Sequence, residues 1–364
     1  MSKRKLLYIG LTVMFCLSGC MEDDLIWEFE RPGYEGSLNG IFVVNEGNFM
    51  YGNASVSHYD PESRQVINDL FYQTNGLPLG DVAHSMTIRD TLAYVVLNNS
   101  GRIYIFHTGT FELIGKITGL TSPRYMHFIN ETKAYVSDLY ARSIAVVNPS
   151  TMEITGAIPV NNSNADFYQH PTEQMLQVDR FVYTNCWSFD NQVLVIDSEL
   201  DRVVDSIEVL KQPNSMVLDR HHTLWVLCDG GFEDSPYGNE GGGLLRIAAG
   251  SQEAETVLRF SPEMSPRDLK INGTGDTLYY INRGVYHYAI NGISDPELLV
   301  ESPYKQIASG GFYGLEVDPV SSELYVADAI DFVQRGMVYR FSPQGVAIDS
   351  FRTGIAPRAF CFDF

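Results

Sequence analysis

The sequence predicts an all-β chain, a seven-bladed β-propeller closed by strands from both termini. Three observations predict it. A weak internal repeat recurs every ~40 to 50 residues. Within each copy, β-branched and aromatic residues alternate at the period of a strand. The two chain ends supply complementary parts of one further copy.

The clearest repeat runs from Pro123 to Val160, "PRYMHFINETKAYVSDLYARSIAVVNPSTMEITGAIPV". It reads as an apolar strand, a tight turn, an alternating strand ending in Asp, a loop, a strand over Ile144–Val147, and a last strand over Glu153–Ile158. The same order recurs over His84–Ile117, Pro171–Val209, Pro213–Phe260, Pro266–Val300 and Tyr313–Phe351. Four strands per unit is a propeller blade, and the alternation excludes a helical repeat.

Residues 41 to 72 carry "IFVVNEG", "ASVSHYD" and "QVINDLF", three strands without a first one, and Pro357–Phe364, "PRAFCFDF", is that strand alone. Joining them makes a seventh blade and removes the open edges of the array. No Gly-Ser or Pro-rich linker interrupts residues 38–364, so they are read as one propeller domain.

Blade geometry sorts the loops. Connections between strands two and three share a face with those that enter the next blade. Strand two ends in Asn45, Asn98, Asp138, Asn185, Asp229, Asn282 and Asp328. Such side chains either satisfy turn backbone groups or point at a ligand. The loops after them carry Phe49, Tyr51, Tyr140, Trp187, Phe189, Phe232, Tyr237 and Phe332 among Gly, Asn and Asp residues. These aromatics either pack over a neighbouring blade or form a broad ligand face.

The blade-entering connections add Arg124, His170, Asn214, Arg267 and Arg358, with Asp81 and His84 before the second blade. Arg124, Arg267 and Arg358 follow proline, which fixes the approach to the inner strand and places the guanidinium groups near the central channel. Arginines there either pair with neighbouring blades or meet an anionic or amide-rich ligand. Trp187, Phe189, Tyr140, Tyr51 and Phe232, with Arg124, Arg267, Asn185 and Asn282, are the candidate binding residues.

Signals for catalysis are poor. No G-x-S-x-G elbow, H-E-x-x-H helix, P-loop or C-x-x-C-H is present, and no enzyme activity is expected. A catalyst assembled across blades would have to use Asp138, Asp229 or Asp328 with His84 or His170. No metal site is assigned: Asp229–Gly243 lacks the spacing of a calcium loop, and Cys186, Cys228 and Cys361 lack that of a zinc site or disulfide framework.

The N-terminus points to export. Lys3, Arg4 and Lys5 precede an apolar run over Leu6–Leu17, followed by "LSGCMEDD" at 17–24. This resembles a lipoprotein processing box, with residues 1–19 as leader, Cys20 as lipid attachment point and 20–37 as tether. Removing three of the 25 Lys and Arg residues leaves 22 against 45 Asp and Glu, a formal charge near −23. Nucleic acid is therefore not an expected partner.

The strands "LYVAD", "AYVSD" and "VLVID" resemble YVTN-type propeller repeats over most of residues 38–364. With the lipobox and the acids Glu22, Asp23 and Asp24, the chain resembles surface lipoproteins of Bacteroidota, and within them the vitamin B12-capture propellers. That resemblance implies lipid anchoring at the outer membrane facing the exterior, cobalamin as transported ligand with no intrinsic cofactor, and an outer-membrane TonB-dependent transporter as partner. No histidine is assigned to cobalt. Two other readings stand beside it: a surface glycan-binding propeller, for which aromatic platforms flanked by Asp and Asn serve equally well, and a lactonase-like hydrolase. A protein-binding scaffold is a third.

Overall fold

The computed structural model describes residues 40–162, 170–292, 295–303 and 311–363. The expected leader, Cys20 and tether lie outside the described residues. Among those described, the chain forms seven four-stranded antiparallel sheets, the seven-bladed propeller expected.

The closing blade has the order β28 (Pro357–Asp363), β1 (Gly40–Asn45), β2 (Ser55–Asp60), β3 (Gln65–Ile67). The next two are β4–β7 (Ala83–Arg89, Leu92–Leu97, Arg102–His107, Leu113–Thr118) and β8–β11 (Pro123–Asn130, Lys133–Asp138, Ser143–Asn148, Glu153–Pro159). Then come β12–β15 (Thr172–Val178, Phe181–Cys186, Gln192–Asp197, Arg202–Glu208) and β16–β19 (Pro213–Leu218, Leu224–Cys228, Gly243–Ile247, Glu255–Arg259). The last two are β20–β23 (Arg267–Ile271, Thr277–Asn282, Gly284–Ala289, Glu297–Val300) and β24–β27 (Gly314–Val317, Leu324–Asp328, Arg335–Phe341, Ala347–Ile355).

Alternation along each strand feeds two inter-blade cores at once. On β1, Ile41 and Val43 join Tyr325, Val338, Phe351 and Phe360 on one side. Phe42 and Val44 join Val95, Leu97, Phe106 and Phe111 on the other. Closure is by register: Ile41 lies opposite Phe362 and Val43 opposite Phe360. The first strands of successive blades touch around the ring and line the central channel. They pass so closely that a Cβ on Gly314 would lie 2.0 Å from the Arg358 carbonyl oxygen, which leaves glycine as the residue that fits.

One element differs from expectation. "QVINDLF" forms only the short β3, after which Asp69, in the left-handed region with φ 55°, turns the chain into α1 (Leu70–Asn75). Burial explains the switch. Phe71 stacks on Tyr104 with ring centroids 5.2 Å apart and lies 6.0 Å from Phe106, apolar contact that an edge strand in water would forgo.

At the ends of the second strands, Asx side chains hold turns and neighbouring blades. Asp138 accepts from the backbone N–H of Ser122 (2.8 Å) and Ala141 (2.8 Å). Asn98 donates to Ser122 Oγ at 2.8 Å, and Asp328 accepts from the Ile330 N–H at 2.7 Å.

Candidate functional site at the channel mouth

The blade-initial residues converge as the fold requires. The starts of β8, β12, β16, β20 and β28 deliver Arg124, Glu173, Asn214, Arg267 with Asp268, and Arg358. Connections between second and third strands add Trp187 and Asp229, and Tyr313 precedes β24. All line one cavity of about 190 Å³. A wider recess of about 530 Å³ opens on the opposite face around His221 and Trp225. Its arginines are already paired, Arg220 with Asp276 at 3.2 Å and Arg246 with Glu255 at 2.8 Å, so it is read as a solvated groove.

Beneath the mouth lies a buried charge network. Arg124 Nε donates to Glu173 at 2.7 Å, and Arg358 meets Glu46 at 3.2 Å. Tyr313 hydroxyl donates to Glu46 and accepts from Arg358 at 3.2 Å. His84, fully buried, sits between the two carboxylates with nitrogen–oxygen distances of 3.8 Å to Glu46 and 3.7 Å to Glu173, too long for hydrogen bonds. Burial and the Arg124 charge lower the His84 pKa, so its ring is neutral at pH 7. Burial pushes the Glu46 carboxyl upward, but Arg358 and the neighbouring His84 and Tyr313 outweigh it and hold it at about 2. Burial pushes the Tyr313 phenol up to about 12, against Arg358 and with Glu46. These groups therefore neutralise one another and carry the mouth rather than a ligand.

Arg267 and Asp229 at the mouth form no ion pair among the described residues, although Asp268 lies close enough to act on Arg267. Arg267 donates to the Phe312 carbonyl at 2.7 Å and makes no ion pair among the described residues. Burial lowers its pKa, against the pull of Asp268 and with the push of Arg358. Asp229 accepts from the Gly231 N–H (2.9 Å), Trp187 Nε1 (3.2 Å) and Asn214 Nδ2 (3.5 Å) and forms no ion pair among the described residues. Burial outweighs those hydrogen bonds and raises its pKa to about 6. Trp187 walls the space between them, with the Arg124 guanidinium 5.8 Å from its ring centroid.

Of the nine candidate binding residues, the structure thus gathers Arg124, Arg267 and Trp187, together with Asn214, Asp229 and Arg358, which the sequence placed on the same face. Asn185 is fully buried and donates to the Pro213 carbonyl at 2.6 Å, a blade-to-blade strap. Asn282 lines a separate cleft beside Met264 and Arg283. Phe189 and Phe232 meet edge to face at 6.5 Å, with Phe189 bordering another recess. Tyr51 and Tyr140 stand in solvent, 79% and 63% exposed. Glu46, Glu173, Tyr313 and Asp268 were missed. A signal did exist for two of them: Glu173 and Asp268 each stand two residues after a blade-initial proline, where side chains turn toward the channel.

Together these features define a seven-bladed propeller scaffold, of the kind often used for small-molecule or protein surface binding, with a polar channel mouth. Residues 39–348 match the family described as a domain of unknown function (DUF5074), and the chain belongs to that family. No curated protein matches it. Among solved structures, it is similar to a quinonprotein alcohol dehydrogenase-like protein from Bacteroides thetaiotaomicron, at 16% identity over 90% of this chain and 79% of that one, TM-score 0.66. It is also similar to the hydrazine synthase of Kuenenia stuttgartiensis, at 14% identity over 76% and 88%, TM-score 0.60. A functionally unknown protein from Desulfotomaculum acetoxidans matches at 11% identity over 89% and 98%, TM-score 0.63. At such identities the likeness is one of fold.

Proposed function

We propose that the protein is a surface-binding propeller whose channel mouth takes a small anionic polyol, a sugar acid or the acidic end of a glycan. The observation that carries this reading is the pairing of unpartnered charges in one cavity. Arg267, in no ion pair among the described residues despite the nearby Asp268 charge, suits an anionic group, and Asp229, in no ion pair either, suits hydroxyl donors beside the Trp187 ring. A corrinoid is several times larger than a cavity of about 190 Å³ and would have to lie across the loop face instead.

Asp229 sets the pH dependence. Its folded pKa lies above that of the unfolded chain, so its contribution to stability is complete below ~pH 4 and lost as pH rises through 6. A ligand hydroxyl donating to the ionised carboxylate offsets that loss. Affinity for a sugar acid is therefore expected to increase as pH rises through 6. Titration calorimetry with glucuronate, galacturonate and gluconate, against neutral sugars and cobalamin, checks this. Arg267→Gln is expected to weaken sugar-acid binding at least ~10-fold, the scale of a charge-assisted hydrogen bond. Binding that ignores Arg267→Gln, or tight binding of cobalamin alone, overturns the reading.

The N-terminal pattern supports placing the protein on the outer membrane through Cys20. Cys20→Ala is expected to abolish incorporation of labelled fatty acid and release the protein from the membrane fraction; labelling that survives overturns this placement.

A further inference from the structure

His170, Cys186 and Asp190 come together beside the Phe189 recess, a cavity separate from the one at the channel mouth. One ligand atom from each lies within 4.8 Å of the others. They come from three places in the chain: the entry to β12, the end of β13 and the loop that follows. Each is held by rigid backbone. The His170 N–H donates to the Val160 carbonyl at 2.9 Å, and the Asp190 carbonyl accepts from the Gln212 N–H at 2.8 Å. Cys186 pairs with Thr172 in the sheet. Phe189, immediately before Asp190, is held in the left-handed region with φ 57°, a conformation an aromatic residue adopts only when its surroundings enforce it.

The side chains are as informative. Cys186 is fully buried and Asp190 is 4% exposed. His170 Nδ1 and Asp190 Oδ2 are 2.7 Å apart, and the Cys186 thiol has no hydrogen-bond partner among the described residues. A buried carboxylate, an imidazole and an unengaged thiol in one cluster supply negative charge, nitrogen and sulfur together. His170 and Asp190 also face a recess of about 350 Å³ bordered by Asn162, Phe189, Gln192 and Tyr237.

We infer that His170, Cys186 and Asp190 form a site for a zinc-type divalent cation, with the fourth coordination position open to that recess. The donor set selects the metal: thiolate and imidazole favour zinc over calcium or magnesium, which take oxygen ligands. Three protein ligands and one open position is the arrangement of zinc sites that receive a water or a substrate atom. Loading displaces the Cys186 thiol proton to solvent as the metal–sulfur bond forms. Metal–ligand distances of about 2.0 to 2.3 Å require the His170 and Asp190 atoms to part slightly as the cation enters between them. The site stands independently of sugar-acid binding at the mouth.

Titrating cobalt(II) into the purified, chelator-treated protein tests this directly. The expected result is one equivalent bound with a thiolate-to-cobalt charge-transfer band and the intense visible bands of a four-coordinate ion, both erased by added zinc. Cys186→Ser should abolish the charge-transfer band, and Cys228→Ser, at the other fully buried cysteine, should leave it intact. Should Cys186→Ser fail to fold, His170→Gln and Asp190→Asn carry the test. Each should weaken zinc binding at least ~100-fold, the scale reached by loss of an outer-sphere partner alone. Absence of the thiolate band in folded wild-type protein, its survival in Cys186→Ser, or unchanged zinc affinity in both other variants overturns the inference.

Discussion

Truncation after Ala356 is expected to abolish the folded monomer. The cut removes β28, and with it the only sequence-distant strand that completes the blade begun by β1. Phe360 is 7% exposed and packs with Ile41, Val43, Tyr325 and Phe351. Truncating such a buried phenylalanine alone costs ~3 to 5 kcal/mol. The deletion adds the whole β28–β1 ladder and strips Arg358 from Glu46, in a protein class whose net stability is ~5 to 15 kcal/mol. It also leaves β1 as an unpaired apolar edge, which favours aggregation. Expression of the truncated chain, followed by size-exclusion chromatography and circular dichroism, checks the outcome; a monomer with a cooperative melt would show that β28 is dispensable. Phe360→Ala is the graded companion and should remain folded at lower stability.

Glu173→Ala should have the second largest effect, a loss of ~3 to 5 kcal/mol measured by denaturant unfolding. Glu173 and Arg124 are both largely buried, so removing the carboxylate leaves the guanidinium without its counter-charge. Burial pushes the Glu173 carboxyl upward, but the Arg124 charge and the adjacent His84 outweigh it and lower its pKa overall. Truncating Glu199, whose pair with Arg180 is solvent-exposed, should change little. A loss no larger than that control would mean the network contributes nothing to the fold.

The same network sets an acid limit, with the sign fixed by each group. His84 is lowered in the fold, so below ~pH 6.5 the unfolded chain gains a proton that the folded chain refuses, and stability falls. Glu46, held at about 2, adds a second loss below ~pH 4.3, where the unfolded carboxyl protonates first. Asp229 acts oppositely between ~pH 4 and 6, one proton against one, and so counters the His84 loss in that interval.

Local features of the sequence carried the fold to a considerable depth. The period-two alternation of "KAYVSD" and "QVLVID" appears as β9 and β14, and the split blade formed by residues 41–67 and 357–363 is present in register. The helix α1 was not legible, because the chain from Leu70 becomes helical as Leu70 and Phe71 bury themselves in the core with Tyr104 and Phe106, whose positions no local pattern encodes.

The site divides along the same line. Its arginines were legible because Arg124, Arg267 and Arg358 follow prolines that fix the chain's entry to the channel. Asn185 illustrates the limit: its residue type suits a ligand or a turn, and only tertiary packing commits it to the Pro213 carbonyl.

By itself the sequence determined the periodic properties of this protein: strand alternation, blade count, ring closure and the face on which polar loops gather. Each is written in residues near one another or in a repeat. Which charges remain unpaired was decided only by the tertiary structure, since Arg124 finds Glu173 and Arg358 finds Glu46 across blades, while Arg267 and Asp229 are left open. Coulombic partnership depends on distance and burial, and both arise when the ring closes.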